Sequence, residues 1–199
     1  MTSFAYAELL RPTTRGRALL YDIGIAVCGS IVIALASRIA FYLPLSPVPV
    51  TGQTFAVLLV GAILGRKRAV MAVAAYLTEG AMGLPVFAAG TAGIGILGGV
   101  TGGYLIGFLA AGFITGYLAE SGWDRRFLTT VLAMIFGNLA IYIFGVSWLA
   151  VFIGIDKALY AGLLVFLPGD LLKIIAASLI LPAGWKLLDR KKKNPASYF

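Results

Sequence analysis

Asp170 and Lys173 have the types and spacing to do chemistry, and they stand where charge is costly. They fall in Phe166-Leu-Pro-Gly-Asp-Leu-Leu-Lys-Ile174, which opens a segment that stays apolar to Leu181. A charge near a bilayer centre costs about 2.5–3.5 kcal/mol on insertion scales, so an acid and a base kept there are expected to face a bundle interior or a cavity. Pro168 suits the first turn of a helix, and a spacing of three sets Asp170 and Lys173 on one face of it. Such a pair presents acceptors and donors to a single ligand. An ordinary i,i+3 salt bridge at a helix end has the same spacing.

The rest of the chain supplies the context. Its 199 residues are 60% hydrophobic and 12% charged, with no histidine. Soluble domains carry about 25% charged residues, so the composition is that of an integral membrane protein, and the apolar runs described below make it an all-α one. The net charge of +8 does not point to nucleic acid, because the basic residues end apolar runs and form no stripe with interleaved aromatics. A single cysteine, Cys28, allows neither an internal disulfide nor a cysteine-based metal cluster, and no metal site or cofactor is expected. There is no phosphate-binding lysine loop and no nucleophile–base pair, so the chain reads as neither an ATPase nor another enzyme.

The elements that must position the pair divide the chain into a polar amino-terminal segment (1–17), a membrane domain (18–188) and a basic tail (189–199). The first apolar run, Ala18 to Leu43, is too long for a signal-peptide core and reads as a retained helix. Ala36 and Ala40 within it have the small-xxx-small spacing that admits another helix, and so mark a partner interface. Arg38 near its end either snorkels to the interface or reaches inward to an anionic group. Pro44 to Gln53 forms a stiff uncharged loop. Two short runs follow, Thr54 to Gly65 and Ala69 to Leu84, separated by Arg66-Lys67-Arg68, with Glu79 near the end of the second. Gly80 to Gly99 is a long apolar loop, tolerated at membrane depth only where protein buries it or it lines a cavity. Leu97 to Ala119 carries glycines four apart, and Phe127 to Ile153 carries Asn138 and Tyr142 one turn apart. A mid-membrane Asn serves as interhelical glue or as a ligand contact. The sixth helix runs from Pro168 to Leu188.

With Arg38 and Lys173 set aside as embedded in the membrane, six spans with the amino terminus in the cytoplasm gather thirteen basic residues on the inside and leave Lys157 outside. That satisfies the positive-inside rule and makes both termini cytoplasmic. The Pro-rich loop, the Gly-rich loop and the approach to Asp170 then share the outer side, with Glu79 at a similar depth.

Four stretches together resemble a known family. They are Ser-Pro-Val-Pro-Val-Thr-Gly-Gln53-Thr-Phe-Ala-Val-Leu-Leu, Tyr76-Leu-Thr-Glu-Gly-Ala-Met-Gly-Leu-Pro-Val-Phe87, Thr101-Gly-Gly-Tyr-Leu-Ile-Gly-Phe108 and Phe166-Leu-Pro-Gly-Asp-Leu-Leu-Lys173. The chain is similar along most of its length to the BioY family, the biotin-binding S components of energy-coupling-factor (ECF) transporters; it departs from the family pattern at Val100, where members usually carry proline. The resemblance implies a six-helix bundle in the bacterial cytoplasmic membrane that captures biotin from outside. It also implies a transmembrane coupling subunit and two cytoplasmic ATPase subunits. The ligand's chemistry suits the residues: a carboxylate takes the ureido N–H groups while an ammonium or amide donates to the ureido oxygen. Asp170 and Lys173 match that demand, Phe87, Tyr104 and Leu84 offer walls, and Gln53, Arg38 or Lys173 offers a donor to the biotin carboxylate. An S component for another vitamin shares the architecture. A solitary secondary carrier, with Glu79 or Asp170 relaying protons, belongs to a different class.

Overall fold

The computed structural model describes residues 5–193; residues 1–4 and 194–199, the extremes of the two expected terminal segments, lie outside it. Eight α-helices and one two-stranded sheet follow in order: α1 (Arg15–Ala36), β1 (Ala40–Phe41), β2 (Val50–Thr51), α2 (Gln53–Leu64), α3 (Arg66–Ala81), α4 (Ile94–Gly98), α5 (Gly102–Glu120), α6 (Phe127–Ile153), α7 (Ile155–Leu159) and α8 (Leu167–Lys193). Short 3₁₀ turns lie at Tyr6–Leu10, Ala88–Gly90 and Trp123–Arg125, and a π-helical turn at Tyr160–Leu164 leads from α7 toward α8. Arg15–Ala36, Gly102–Glu120, Phe127–Ile153 and the composite stretch Ile155–Leu188 are long and apolar enough to cross a membrane. α2 and α3, with 12 and 16 residues, fall short of the roughly 20 that a straight span needs.

α5 lies at the centre. Eleven of its 19 residues are buried, against α2 and α3 on one side and α6 on another. Its glycines explain the depth of that packing. A Cβ at Gly103 would stand 2.5 Å from the Phe144 carbonyl oxygen, one at Gly107 would stand 3.0 Å from Ile141 Cα, and one at Gly116 would strike the backbone of Arg66. Small residues let helix backbones approach where the hydrophobic effect gives no drive between helices. Leu19, Leu20, Ile31 and Leu35 of α1 and Leu132, Leu139 and Ile143 of α6 stay exposed, as lipid-facing residues do.

Several boundaries differ from the sequence expectation: α8 runs on to Lys193, past the expected end at Leu188 and into the expected tail, and α5 begins at Gly102, not Leu97. The first helix stops at Ala36, not Leu43, because the next residues are taken by tertiary partners. Ser37 Oγ donates to the carbonyls of Val86 at 2.7 Å and Phe87 at 3.2 Å, and Ala40–Phe41 pairs antiparallel with Val50–Thr51. Ala36 and Ala40 therefore share no helical face: Ala36 ends α1 with its carbonyl 2.8 Å from where a Gly52 Cβ would sit, and Ala40 is in β1. The basic triplet is also not a loop. Gly65, at φ +80°, turns the chain sharply, and Arg66-Lys67-Arg68 forms the first turn of α3.

Arg68 does more than mark topology. It is buried, with Nη2 2.6 Å from Glu8 Oε2 and Nε 2.5 Å from Asp22 Oδ1, while Arg11 Nη2 lies 2.8 Å from Asp22 Oδ2. This network ties the Tyr6–Leu10 turn to α1 and α3. On the other side of that turn the Tyr6 hydroxyl donates to the Leu181 carbonyl, and its ring stacks on Trp185 with centroids 4.2 Å apart. Ala5 and Ala7 are buried beneath it.

Candidate functional site

Pro168 and Gly169 open α8 and deliver Asp170 into the interior, where it is only 4% exposed. One turn on, Lys173 Nζ lies 3.0 Å from Asp170 Oδ1 and donates to Thr54 Oγ1 of α2 at 2.8 Å. Tyr142 of α6 donates its hydroxyl to Asp170 Oδ2. The acid and base are thus pinned by two other helices, which gives them one geometry and satisfies charges that would otherwise be prohibitive at this depth.

The group lines a cavity of about 250 Å³. Its walls are Phe87, Ile96, Tyr104, Leu105, Phe108, Ile141 and Phe166, and its polar margin adds Thr51, Gln53 and Thr101. Loop residues Tyr42, Pro47, Pro49, Ala88, Thr91 and Gly95 border it, so the Pro-rich and Gly-rich segments meet over one chamber. The volume sits near the low end for small-molecule pockets, about 300–1,000 Å³, and the balance of apolar walls with few convergent polar groups is theirs too.

Donor and acceptor capacity is left over. An ammonium has three donors, of which Lys173 spends two on Thr54 and Asp170; each Asp170 oxygen takes one bond and has a further lone pair. Gln53 is oriented from both ends, accepting from Thr51 Oγ1 at 2.9 Å and donating to the Tyr76 hydroxyl. The Tyr76 ring in turn meets Phe87 edge-on at 5.5 Å between centroids. Tyr104 gives its hydroxyl to the Gly162 carbonyl at 2.8 Å, so it presents a ring to the cavity and no free donor.

Of the residues singled out from sequence, Asp170, Lys173, Gln53, Tyr104 and Phe87 come together in this cavity, and Glu79, Arg38, Leu84 and Asn138 do not line it. Glu79 accepts from Ser30 Oγ at 2.9 Å, tying α3 to α1. Arg38 reaches the Pro85 carbonyl at 2.5 Å and clasps the Gly-rich segment from outside. Leu84 is 53% exposed. Asn138 is buried in α6 with its Oδ1 lacking a hydrogen-bond partner. Tyr142 and Thr54 join the Asp170–Lys173 group in the structure, and the sequence does not single them out for this place. The one-turn spacing of Asn138 and Tyr142 was a pointer, but the longer phenol is the side chain that reaches Asp170.

The chain matches the family description "BioY family" over residues 11–190. It belongs to the BioY family. A biotin transporter BioY from Rhizobium etli is 35% identical over 178 residues, covering 83% of this chain and 95% of that protein. Biotin transporter BioY2 of Lactococcus lactis is 36% identical over 183 residues, covering 90% and 96%, and the Thermotoga maritima BioY is 42% identical over 139 residues, covering 69% and 81%. A crystal structure of the S component for biotin from an ECF-type ABC transporter superposes with a TM-score of 0.77 at 25% identity, covering 88% of this chain and 95% of that one. As in other BioY members, the chain is a multi-pass membrane transport protein and not an enzyme.

Proposed function

We propose that this protein captures biotin in the Asp170–Lys173 cavity and serves as the substrate-specific subunit of an ECF-type transporter, with a transmembrane coupling subunit and two cytoplasmic ATPase subunits supplying the energy. The observation that carries the ligand assignment is the pairing of acceptor and donor in a chamber otherwise walled by hydrocarbon. Asp170 accepts the ureido N–H groups, Lys173 or the Gln53 amide donates to an oxygen of the ligand, and Phe87, Phe108 and Phe166 enclose the thiophane ring and valeryl chain. The same reading has α2 and α3 cross the bilayer with the help of their flanking segments, making six spans in a bacterial cytoplasmic membrane with both termini and the basic tail on the inner side. Glu79 and Arg38 support the surrounding segments through their hydrogen bonds to Ser30 and Pro85, Leu84 and Asn138 stand outside the cavity, and Ala36 and Ala40 meet a partner subunit only outside a shared helical face.

Equilibrium binding of labelled biotin to the purified protein in detergent is the test. Asp170→Asn turns an acceptor partly into a donor and leaves buried partners unpaired, a cost of about 1–3 kcal/mol, or roughly five- to 150-fold in affinity. Lys173→Met is expected to weaken binding as well. Parental affinity in both variants would reduce the pair to a structural salt bridge. Biotin uptake that persists in cells lacking the ATPase subunits would identify a solitary carrier instead.

A further inference from the structure

At the end of the molecule that carries the Tyr6 turn, a second depression lies between the start of α6 and the Ser178–Lys186 stretch of α8. It is open, about 500 Å³, and lined by Arg125, Arg126, Phe127, Ser178, Leu179, Pro182, Ala183 and Lys186. Three of these eight are cationic and none is a carboxylate. Asp124, next along the chain, points away: it is 1% exposed and accepts from Trp185 Nε1 at 2.6 Å, while the Arg125 guanidinium stacks over the Trp185 ring at 4.5 Å. α6 begins here without a side-chain cap, so its first-turn N–H groups add positive potential. Independently of that helix end, Ser178 is one of the lining residues, and its hydroxyl, on a residue 1% exposed, is buried with no hydrogen-bond partner. A buried hydroxyl left unbonded costs free energy that a ligand oxygen can recover.

Below the cations the surface turns apolar and exposed, through Phe127, Leu128, Leu179 and Ile180. Cationic above and hydrocarbon below is the profile of a phospholipid at the edge of a bilayer. We infer that this depression holds the phosphate of an anionic phospholipid, with Arg126 and Lys186 pairing its charge, Ser178 Oγ donating to a phosphate oxygen, and the acyl chains lying along Leu179 and Phe127. The site is separate from the ligand cavity, with which it shares no lining residue. It therefore does not depend on what that cavity binds.

The test uses the full-length protein, delipidated in detergent and then exposed to phosphatidylglycerol or phosphatidylcholine, with retained lipid counted by native mass spectrometry. The parent is expected to retain phosphatidylglycerol preferentially. Arg126→Gln with Lys186→Gln should lose roughly fivefold in that preference for each cation removed, and Ser178→Ala should weaken retention with the charge unchanged. The α8 fold is monitored by thermal stability and by labelled-biotin binding, both expected near parental. Equal retention of the two lipids by the parent, or an unchanged preference in the double variant, would overturn the inference. So would displacement of the lipid by millimolar inorganic phosphate, which would make this a site for the free anion. A double variant that keeps its lipid preference but no longer supports uptake in cells would assign the patch to a protein partner.

Discussion

At the residue scale the proposed ligand site rests on one acidic side chain held by two others, Lys173 and Tyr142. Tyr142→Phe removes the donor to Asp170 Oδ2 and leaves that carboxylate tied to Lys173 alone. Loss of a hydrogen bond to a charged group costs the folded protein about 1.5–3 kcal/mol, so thermal stability is expected to fall by that order, and biotin affinity to weaken in the equilibrium assay as the carboxylate loses its fixed orientation. The sequence made Asp170 and Lys173 legible because a charge in an apolar run is anomalous by itself. Thr54 and Tyr142 were not legible as site residues, since a lone Thr at a helix start and a Tyr in a membrane helix each have commoner uses; only the approach of α2 and α6 to α8 makes them partners. Glu79 shows the opposite error, an anomalous acid whose answer is the hydroxyl of Ser30 on the neighbouring helix. Outside the spans, burial against Trp185 pushes the Asp124 carboxyl up to about 6, with the Trp185 N–H opposing the shift. Its ordinary value is 3.8 and the folded value is higher, so the native state holds the proton more tightly. The contribution to stability is then largest below pH 4, falls as pH rises from about 4 to 6 by on the order of 3 kcal/mol, and is flat above. Thermal unfolding followed across that range should show the decline, and Asp124→Asn should flatten it.

At the element scale, apolar length and punctuation located most helices. α6 begins at Phe127 and ends at Ile153 as read, bounded by Arg126 and by Gly154 at φ +81°. The end of α1 was illegible because nothing local stops that helix: Ser37 and Ala40 are recruited by partners 10 to 50 residues away in sequence. The Gly80–Gly99 stretch holds a 3₁₀ turn and α4 where a loop was expected. It is fastened at its edges by the Arg38–Pro85 and Ser37–Val86 contacts, and Gly93, at φ +99°, has open space around it. That makes it the better lid over the cavity than the proline-stiffened segment opposite. In a Cys28→Ala background, Thr91→Cys is expected to react with a membrane-impermeant maleimide, and saturating biotin to slow the reaction; a rate indifferent to biotin would move the lid elsewhere. The close approach of α5 to the α2–α3 joint makes a different prediction. Gly116→Val would drive a side chain into the Arg66 backbone, which cannot yield as a flexible side chain would, and is expected to cost about 1–3 kcal/mol in thermal or denaturant unfolding.

For the whole molecule, composition alone decided the class, because 12% charged residues cannot clothe a water-soluble surface of this size. What composition left hidden is how the polar residues are deployed. Two groups stand out, one in the candidate cavity and one at the end where Glu8, Arg11, Asp22, Arg68 and Asp124 gather. At that end the Tyr6–Leu10 turn is held by Arg68 on one flank and by Leu181 and Trp185 on the other, so it joins α3 to α8 across the bundle. Residues 5–10 thus work as a clasp, and the ordinary practice of trimming a membrane protein's amino terminus to aid crystallisation would open it: Arg68 would lose Glu8, Trp185 would lose its stacked ring, and the two far sides of the bundle would be free to splay.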